Sequence, residues 1–319
     1  MDLSLTEQQE LLQRAARDFL TTECPEAAMR ALDATETQFS REVWDKMAEL
    51  GWMGLLVPEQ YGGFGGSYTD MGVLAEQLGR AVQPTTLHST AVIGALLLTQ
   101  AGSDAQKSAL LPAVANGKAI LALAATEADY GWAATDIRST TAAQAGGGWA
   151  INGAKHFVHD AHVADTLIVA ARTGAGDTDI TLFLVPANAA GLTRRRIAGN
   201  YSDHQSELVF SNVQVGAEAV LGGVNQGWAA LSAVLQPAAA IMCAYMAGAM
   251  ETLFELTVEY AKTRRQFGTA IGTFQRVQDH IIDVVNAYDG ARWTAFEALW
   301  KLDTGKKDAG LSVSTTKII

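Results

Sequence analysis

A chain of 319 residues has room for two or three domains at roughly 100–200 residues each. Hydrophobic residues at 49% and charged residues at 18% supply a core and exclude a disordered chain. A net charge of −11 excludes bulk binding to nucleic acid or an anionic membrane, since both need a cationic face.

Residues 1–118 predict a helical domain. Thr6 lies three residues before Gln9, a capping-box spacing, and Leu11, Leu12, Ala15, Ala16 and Phe19 then share one apolar face. Pro25 ends that pattern. A second helix is expected over 40–50, with Gly51 as its stop. The glycines of 57–66 predict a loop, because they cost too much backbone entropy inside a helix. Helices over 69–78, stopped by Gly79, and over 91–100 complete this part.

Residues 119–222 predict an antiparallel β domain. Its apolar runs are short: 120–125, 149–151, 156–158, 166–171, 180–185, 208–210 and 213–215. Gly146-Gly147-Gly148 and Gly174-Ala175-Gly176-Asp177 suit hairpin turns. Residues 223–319 return to helix, over 228–262, 274–302 and 312–319, with Pro237 expected to kink or restart the first. No charge occurs over 228–250, yet a buried bundle helix is the better reading than a membrane span. The flanks lack basic and aromatic anchors, and the alanines suit tight helix packing. Two cysteines, Cys24 and Cys243, cannot build a disulfide framework. Reduced thiols, and a first segment without the features of a signal peptide, make a cytoplasmic location the expectation.

The stretch Tyr260-Ala261-Lys262-Thr263-Arg264-Arg265-Gln266-Phe267-Gly268-Thr269-Ala270-Ile271-Gly272-Thr273-Phe274-Gln275 resembles the Tyr-Ala-x-x-Arg-x-Gln-Phe-Gly-x-x-Ile-x-x-Phe-Gln signature of the acyl-CoA dehydrogenase family. The Tyr61 to Gly66 loop and Ala75-Glu76-Gln77-Leu78-Gly79-Arg80 are similar to that family's first domain. Thr126-Glu127, Asn152-Gly153-Ala154-Lys155 and Ala164-Asp165 are similar to its middle domain. The resemblance covers nearly the whole chain. It implies an α+β fold: an N-terminal helical domain (1–118), a middle antiparallel β barrel (119–222) and an abbreviated C-terminal helical bundle (223–319). It also implies FAD, which in the family oxidises an acyl-CoA to a 2-enoyl-CoA. A glutamate base removes the proton beside the thioester, and hydrogen bonds polarise the carbonyl.

The sequence departs from the family at the base. One family location, on the long bundle helix, falls at Ala238, which cannot accept a proton. The other lies in a segment resembling Tyr-Glu-Gly-Thr, and the sequence ends at Ile319 without one. The flavin wall is altered too. Where the family has Thr-Glu-Pro-x-Ala-Gly-Ser-Asp, this chain has Thr126-Glu127-Ala128-Asp129-Tyr130-Gly131-Trp132-Ala133-Ala134-Thr135-Asp136. Either Trp132 replaces the serine, or a small insertion puts Thr135-Asp136 in place of Ser-Asp; both alignments stay open. The family's aromatic-x-Thr becomes Phe157-Val158-His159, while Thr126 and Phe157 survive. By contrast Arg264, Gln266, Phe267 and Gln275 match. In the family these residues reach across to the adenosine and pyrophosphate of an FAD held mainly by the neighbouring subunit. An always-charged planar guanidinium suits a pyrophosphate.

The resemblance therefore implies a base-lacking subunit of a heterotetrameric acyl-CoA dehydrogenase, similar to those of actinobacterial steroid and cholesterol side-chain catabolism. A homologous partner would carry the glutamate, and an electron-transferring flavoprotein would accept the electrons. The alternatives are a self-sufficient homotetrameric dehydrogenase whose tail lies outside this sequence, and a non-catalytic scaffold subunit. Blander roles stand beside individual residues. Arg264 suits a helix end, and Thr126 suits any strand. His156, His159 and His162 disfavour a metal, because that spacing alternates faces on a strand. Arg194-Arg195-Arg196 either reaches a CoA phosphate or is a solvated run. Glu251, Glu255 and Glu259 fit an exposed stripe better than a displaced base, and Cys243 fits a small core position.

Overall fold

The helix starts are set by side-chain caps. In the computed structural model, which describes residues 4–84, 86–199 and 204–319, the Thr6 hydroxyl accepts from the Gln9 N–H while the Thr6 N–H donates to the Gln9 side chain. This begins α1 (Glu7–Glu23), and α2 (Glu26–Asp33) follows Pro25. The buried stripe of α1 is narrower than its apolar pattern: Ala16 and Leu20 are buried, whereas Leu11 is 56% exposed and Ala15 also faces out. Ser40 caps α3 (Arg41–Glu49), and Gly51 follows at φ 79.

Helix α4 (Tyr68–Arg80) corrects one expectation, because Gly79 lies inside it and does not stop it. The glycine is there for closeness. A Cβ on Gly79 would lie 1.8 Å from the Tyr245 carbonyl oxygen, and one on Gly248 would lie 1.8 Å from the Glu76 carbonyl oxygen. A π-helical turn (His88–Gly94) leads into α5 (Ala95–Ala101), and α6 (Asp104–Ala115) follows with a second capping box, Ser103 with Gln106.

Eight strands form one sheet: β1 (Leu121–Ala124), β2 (Thr141–Ala145), β3 (Gly148–His159), β4 (Thr166–Arg172), β5 (Ile180–Pro186), β6 (Leu192–Ile197), β7 (Gln205–Gly216) and β8 (Val220–Leu221). Where a barrel is expected, the strands follow the path β6-β7-β3-β2-β4-β5-β8, with β1 beside β4 and with β6 and β8 at its two ends. The sheet is not wholly antiparallel, because β1 runs parallel to β4. Strands β2 and β3 intervene between β1 and β4, which supplies the long connection that a parallel pair needs. Strand β4 is buried along Leu167 to Ala171, as a strand covered on both faces should be. The Gly146-Gly147 turn joins β2 to β3 with φ of 59 and 86, as a type I′ hairpin requires. The runs 149–151 and 156–158 are one strand, β3, interrupted by register shifts near Gly153 and Phe157.

The chain then enters α7 (Gly227–Thr263), a hairpin of β9 (Arg265–Gln266) and β10 (Thr269–Ala270), α8 (Gln275–Asp303) and α9 (Ala309–Ile318). Helix α7 runs unbroken through Pro237, so the proline does not restart it. An interior proline costs a helix about 3 kcal/mol, an amount that burial of Ala238, Ala240, Ile241, Ala244 and Ala247 offsets.

The chain forms two compact units, Met1–Arg30 with Ser67–Gln83 and Gln236–Ile319, and Ala31–Gly66 with Pro84–Leu235. The first is helical, and its interior holds charge: Glu76 is buried 2.6 Å from Arg292, and Arg80 pairs with Glu251 and Glu255. The second holds the sheet, with Trp44 donating to the Gly117 carbonyl at 2.8 Å.

Candidate functional site

Four of the six expected site residues meet at one hairpin of the helical unit. Gln266 pairs with Thr269 and Arg265 with Ala270, so Phe267-Gly268 forms a two-residue turn with φ of 53 and 83. Glycine takes that conformation freely, but a phenylalanine there costs about 1 kcal/mol. The strained residue is also 94% exposed, its ring edge-on to Phe274 at 6.1 Å. Arg264 anchors the hairpin through its backbone: its N–H donates to Tyr260 and its carbonyl accepts from Ile271. Its exposed guanidinium makes no hydrogen bond or ion pair among the described residues. The Gln266 amide donates to the adjacent Arg265 carbonyl. Gln275 opens α8 and is exposed. The tip thus offers an available cation, exposed amides and an uncovered ring beside a helix N-terminus, which suits an anion flanked by a planar group.

Thr126 and Phe157 lie in the other unit, beside each other. Thr126 follows β1, and its carbonyl accepts from the His156 N–H at 2.9 Å. Phe157 sits at the β3 bulge with φ 54. Bulges next to sites re-aim a side chain. The loop that begins at Thr126 is held by Glu127. One carboxylate oxygen accepts from the Thr140 N–H and the Lys155 ammonium, the other from the N–H groups of Arg138 and Ser139 and from the Ser139 hydroxyl. Burial pushes the Glu127 carboxyl up, but the Lys155 charge and these hydrogen bonds outweigh it and hold the group down at about 2. Lys155 is 0% exposed, and burial lowers its ammonium to about 8 against the pull of Glu127.

Family models match the chain throughout: the acyl-CoA dehydrogenase N-terminal domain over residues 6–118, the middle domain over 122–213 and the C-terminal domain over 225–319. The chain belongs to the acyl-CoA dehydrogenase family. Among solved structures, this dehydrogenase is similar to PigA with FAD and proline, at TM-score 0.91 and 29% identity over 99% of this chain and 84% of that one. It is similar to the ChsE4-ChsE5 complex from Mycobacterium tuberculosis, at TM-score 0.88 and 26% identity over 99% and 83%. It is also similar to the Tcur3481-Tcur3483 steroid ACAD G363A variant, at TM-score 0.84 and 31% identity over 96% and 81%. The cofactor of this flavoprotein family is FAD.

The dehydrogenase's two clusters differ in how they fit that cofactor. The hairpin fits: its exposed guanidinium and amides have the donor chemistry for a pyrophosphate and an adenosine. The Thr126 wall does not. Tyr130 lies on the Phe157 ring, centroids 4.9 Å apart, and Trp132 is 68% exposed where the family has a hydroxyl in the ungapped alignment.

Ala238 is 3% exposed on α7, so the helix offers no base there. Of the glutamate stripe beyond it, Glu255 and Glu259 are exposed as expected, whereas Glu251 is partly buried. Glu251 pairs with Arg80 at 2.8 Å and Glu255 pairs with Arg80 at 2.9 Å. The three histidines serve separate partners: His156 faces Glu207, His162 stacks on His204, and His159 meets Gln205. No metal-ligating cluster of three side chains occurs among the described residues. Arg194, Arg195 and Arg196 are spent within their own unit, on the Ala161 carbonyl, on Glu207, and on Gln38 with the Glu36 carbonyl. Cys243 is buried, and burial raises its thiol. Sequence reasoning missed the roles of Glu127, Lys155, Glu76 and Arg292. The signal was a charged residue inside an apolar run, as with Glu76 between Ala75 and Leu78.

Proposed function

We propose that this chain is the base-lacking subunit of a heteromeric, FAD-dependent acyl-CoA dehydrogenase. FAD, when bound, would supply the hydride acceptor for the α,β-dehydrogenation. The observation that carries the reading is the hairpin, where an exposed Arg264 stands beside a strained, almost fully exposed Phe267. A strained backbone under an uncovered ring, beside an available cation, supports a binding role for this tip towards a group outside the chain. Arg264 would hold the pyrophosphate of the partner's FAD, Gln266 and Gln275 would orient it, and Phe267 would shield its adenosine side from water. Buried Ala238 supports a partner that supplies the glutamate, since no carboxylate of this chain replaces it at that point of α7.

Steroid side-chain CoA esters are the proposed substrates, supported by the similarity to a steroid ACAD. An electron-transferring flavoprotein is the proposed acceptor and the cytoplasm the proposed location. The domains expected from the sequence, 1–118, 119–222 and 223–319, stand as the proposed division of labour.

The test is Arg264→Ala in the complex co-purified with a base-bearing homologue. Loss of a charge-assisted bidentate contact should weaken FAD binding about tenfold or more, read by flavin fluorescence on dilution. Retention of FAD at wild-type affinity would sink the reading and favour a scaffold. Dehydrogenation by the chain alone would favour a self-sufficient enzyme.

A further inference from the structure

The Thr126 wall is covered by its own chain. The β3 bulge turns Phe157 out of the strand alternation, and Tyr130 stacks on the ring at 4.9 Å with planes 30° apart. Tyr130 has φ 59 and Phe157 φ 54, so two non-glycine residues in the left-handed region meet face to face. Such conformations persist only where the surroundings over-determine them. Glu127 does this, because its carboxylate collects the N–H groups of Arg138, Ser139 and Thr140, and its own carbonyl accepts from the Tyr130 N–H at 3.1 Å.

One backbone donor of this loop is engaged by a carboxylate of the same loop. The Asp136 carboxylate accepts the Ala133 N–H at 2.9 Å. It also lies against Gly131, where a Cβ would come within 2.0 Å of the Asp136 carboxyl carbon. A flavin needs two things of such a wall: an open aromatic face, and backbone N–H groups aimed at phosphate oxygens. Tyr130 covers the first, and Asp136 takes the Ala133 N–H from the second.

We infer that this chain's own flavin wall is self-occluded, with the Tyr130 ring lying where an isoalloxazine would lie and the Asp136 carboxylate lying where a phosphate oxygen would lie. Each pair of subunits then holds one FAD, on the partner's wall, completed by this chain's hairpin. The inference rests on the heteromeric reading above, and the two fail separately.

The experiment loads the co-purified complex with excess FAD, removes the free flavin by gel filtration and measures released flavin per pair of chains by absorbance. Wild type should hold one FAD per pair. Tyr130→Gly, which relieves the positive φ and removes the ring, should raise the ratio towards two. Tyr130→Phe, which keeps the stack, should stay at one. Asp136→Ala reads the other half of the occlusion and should raise the ratio without touching the ring. Two FAD per pair in wild type, or a ratio fixed at one in both Tyr130→Gly and Asp136→Ala, would overturn the occlusion. Arg264→Ala reports on the hairpin alone: it should remove the first FAD whichever residue stands at 130. If it leaves that FAD bound, the trans contact fails while the effect of Tyr130 stands.

Discussion

Lys155 carries a charge with no exposed surface, 2.9 Å from Glu127, and the loop bearing Thr126 hangs on that pair. Removing one partner of a buried pair is worse than never having had it, because the survivor keeps its desolvation penalty. In Glu127→Gln the ammonium would retain only the Ala125 carbonyl at 3.0 Å as a strong acceptor. The expected loss is about 3–5 kcal/mol in urea unfolding at neutral pH. The pH dependence has a definite sign. The Glu127 carboxyl is at about 2 when folded and 4.5 when unfolded, so its contribution is complete above pH 4.5 and fades as pH falls towards 2. That difference is worth about 3 kcal/mol. Unfolding free energies across this acid range should therefore fall more steeply in wild type than in Glu127→Gln; equal slopes would place the control elsewhere.

At the scale of elements, the crossing of α4 and α7 shows how a glycine's meaning depends on a neighbour that is distant in sequence. Alanine is favoured over glycine in a helix by about 1 kcal/mol. At Gly79 that gain is overwhelmed, because the new methyl would lie 1.8 Å from a backbone oxygen that cannot swing aside. Gly79→Ala should cost about 3 kcal/mol net by thermal unfolding. Gly290→Ala in α8, whose nearest neighbour would be 3.7 Å away, should be neutral or stabilising by up to about 1 kcal/mol. A stable Gly79→Ala would mean that the helices can part. Local rules made Gly79 look like a stop, and nothing near it in the sequence names Tyr245. The elements missed in the sequence have similar causes. Thr141–Ala145 is too poor in bulky apolar residues to stand out, and Leu192–Ile197 is an edge strand armoured with three arginines. What was legible was local: the Thr6 cap, the Gly146-Gly147 turn, and the signature motif around Phe267, though not that it folds as a hairpin. Glu127 and Lys155 could be quoted as motif residues, but their pairing spans 28 positions and only the folded sheet closes it.

For the molecule as a whole, two environments compete for α7, the one described helix long and apolar enough to cross a bilayer. Length alone permits a span, since 37 residues exceed the roughly 20 it requires. The competing energies decide otherwise. Within its unit, α7 buries Ala240, Ile241, Ala244 and Ala247, and Gly248 presses on the backbone of Glu76. Just beyond, Glu251 is paired with Arg80 at 2.8 Å and lies 3.8 Å from Arg17. Drawing α7 into lipid would strand those arginines and carry Glu251 towards hydrocarbon, at several kcal/mol for each unpaired ion. The return would be burial of a few exposed side chains such as Met246, Leu253 and Leu256, at about 1.5–3 kcal/mol each at most. The ion penalty and the lost helix crossing outweigh that gain. Membranes from cells expressing the chain, washed with alkaline carbonate, should therefore release it into the supernatant. A chain that stays in the pellet until detergent is added would show that α7 leaves its bundle.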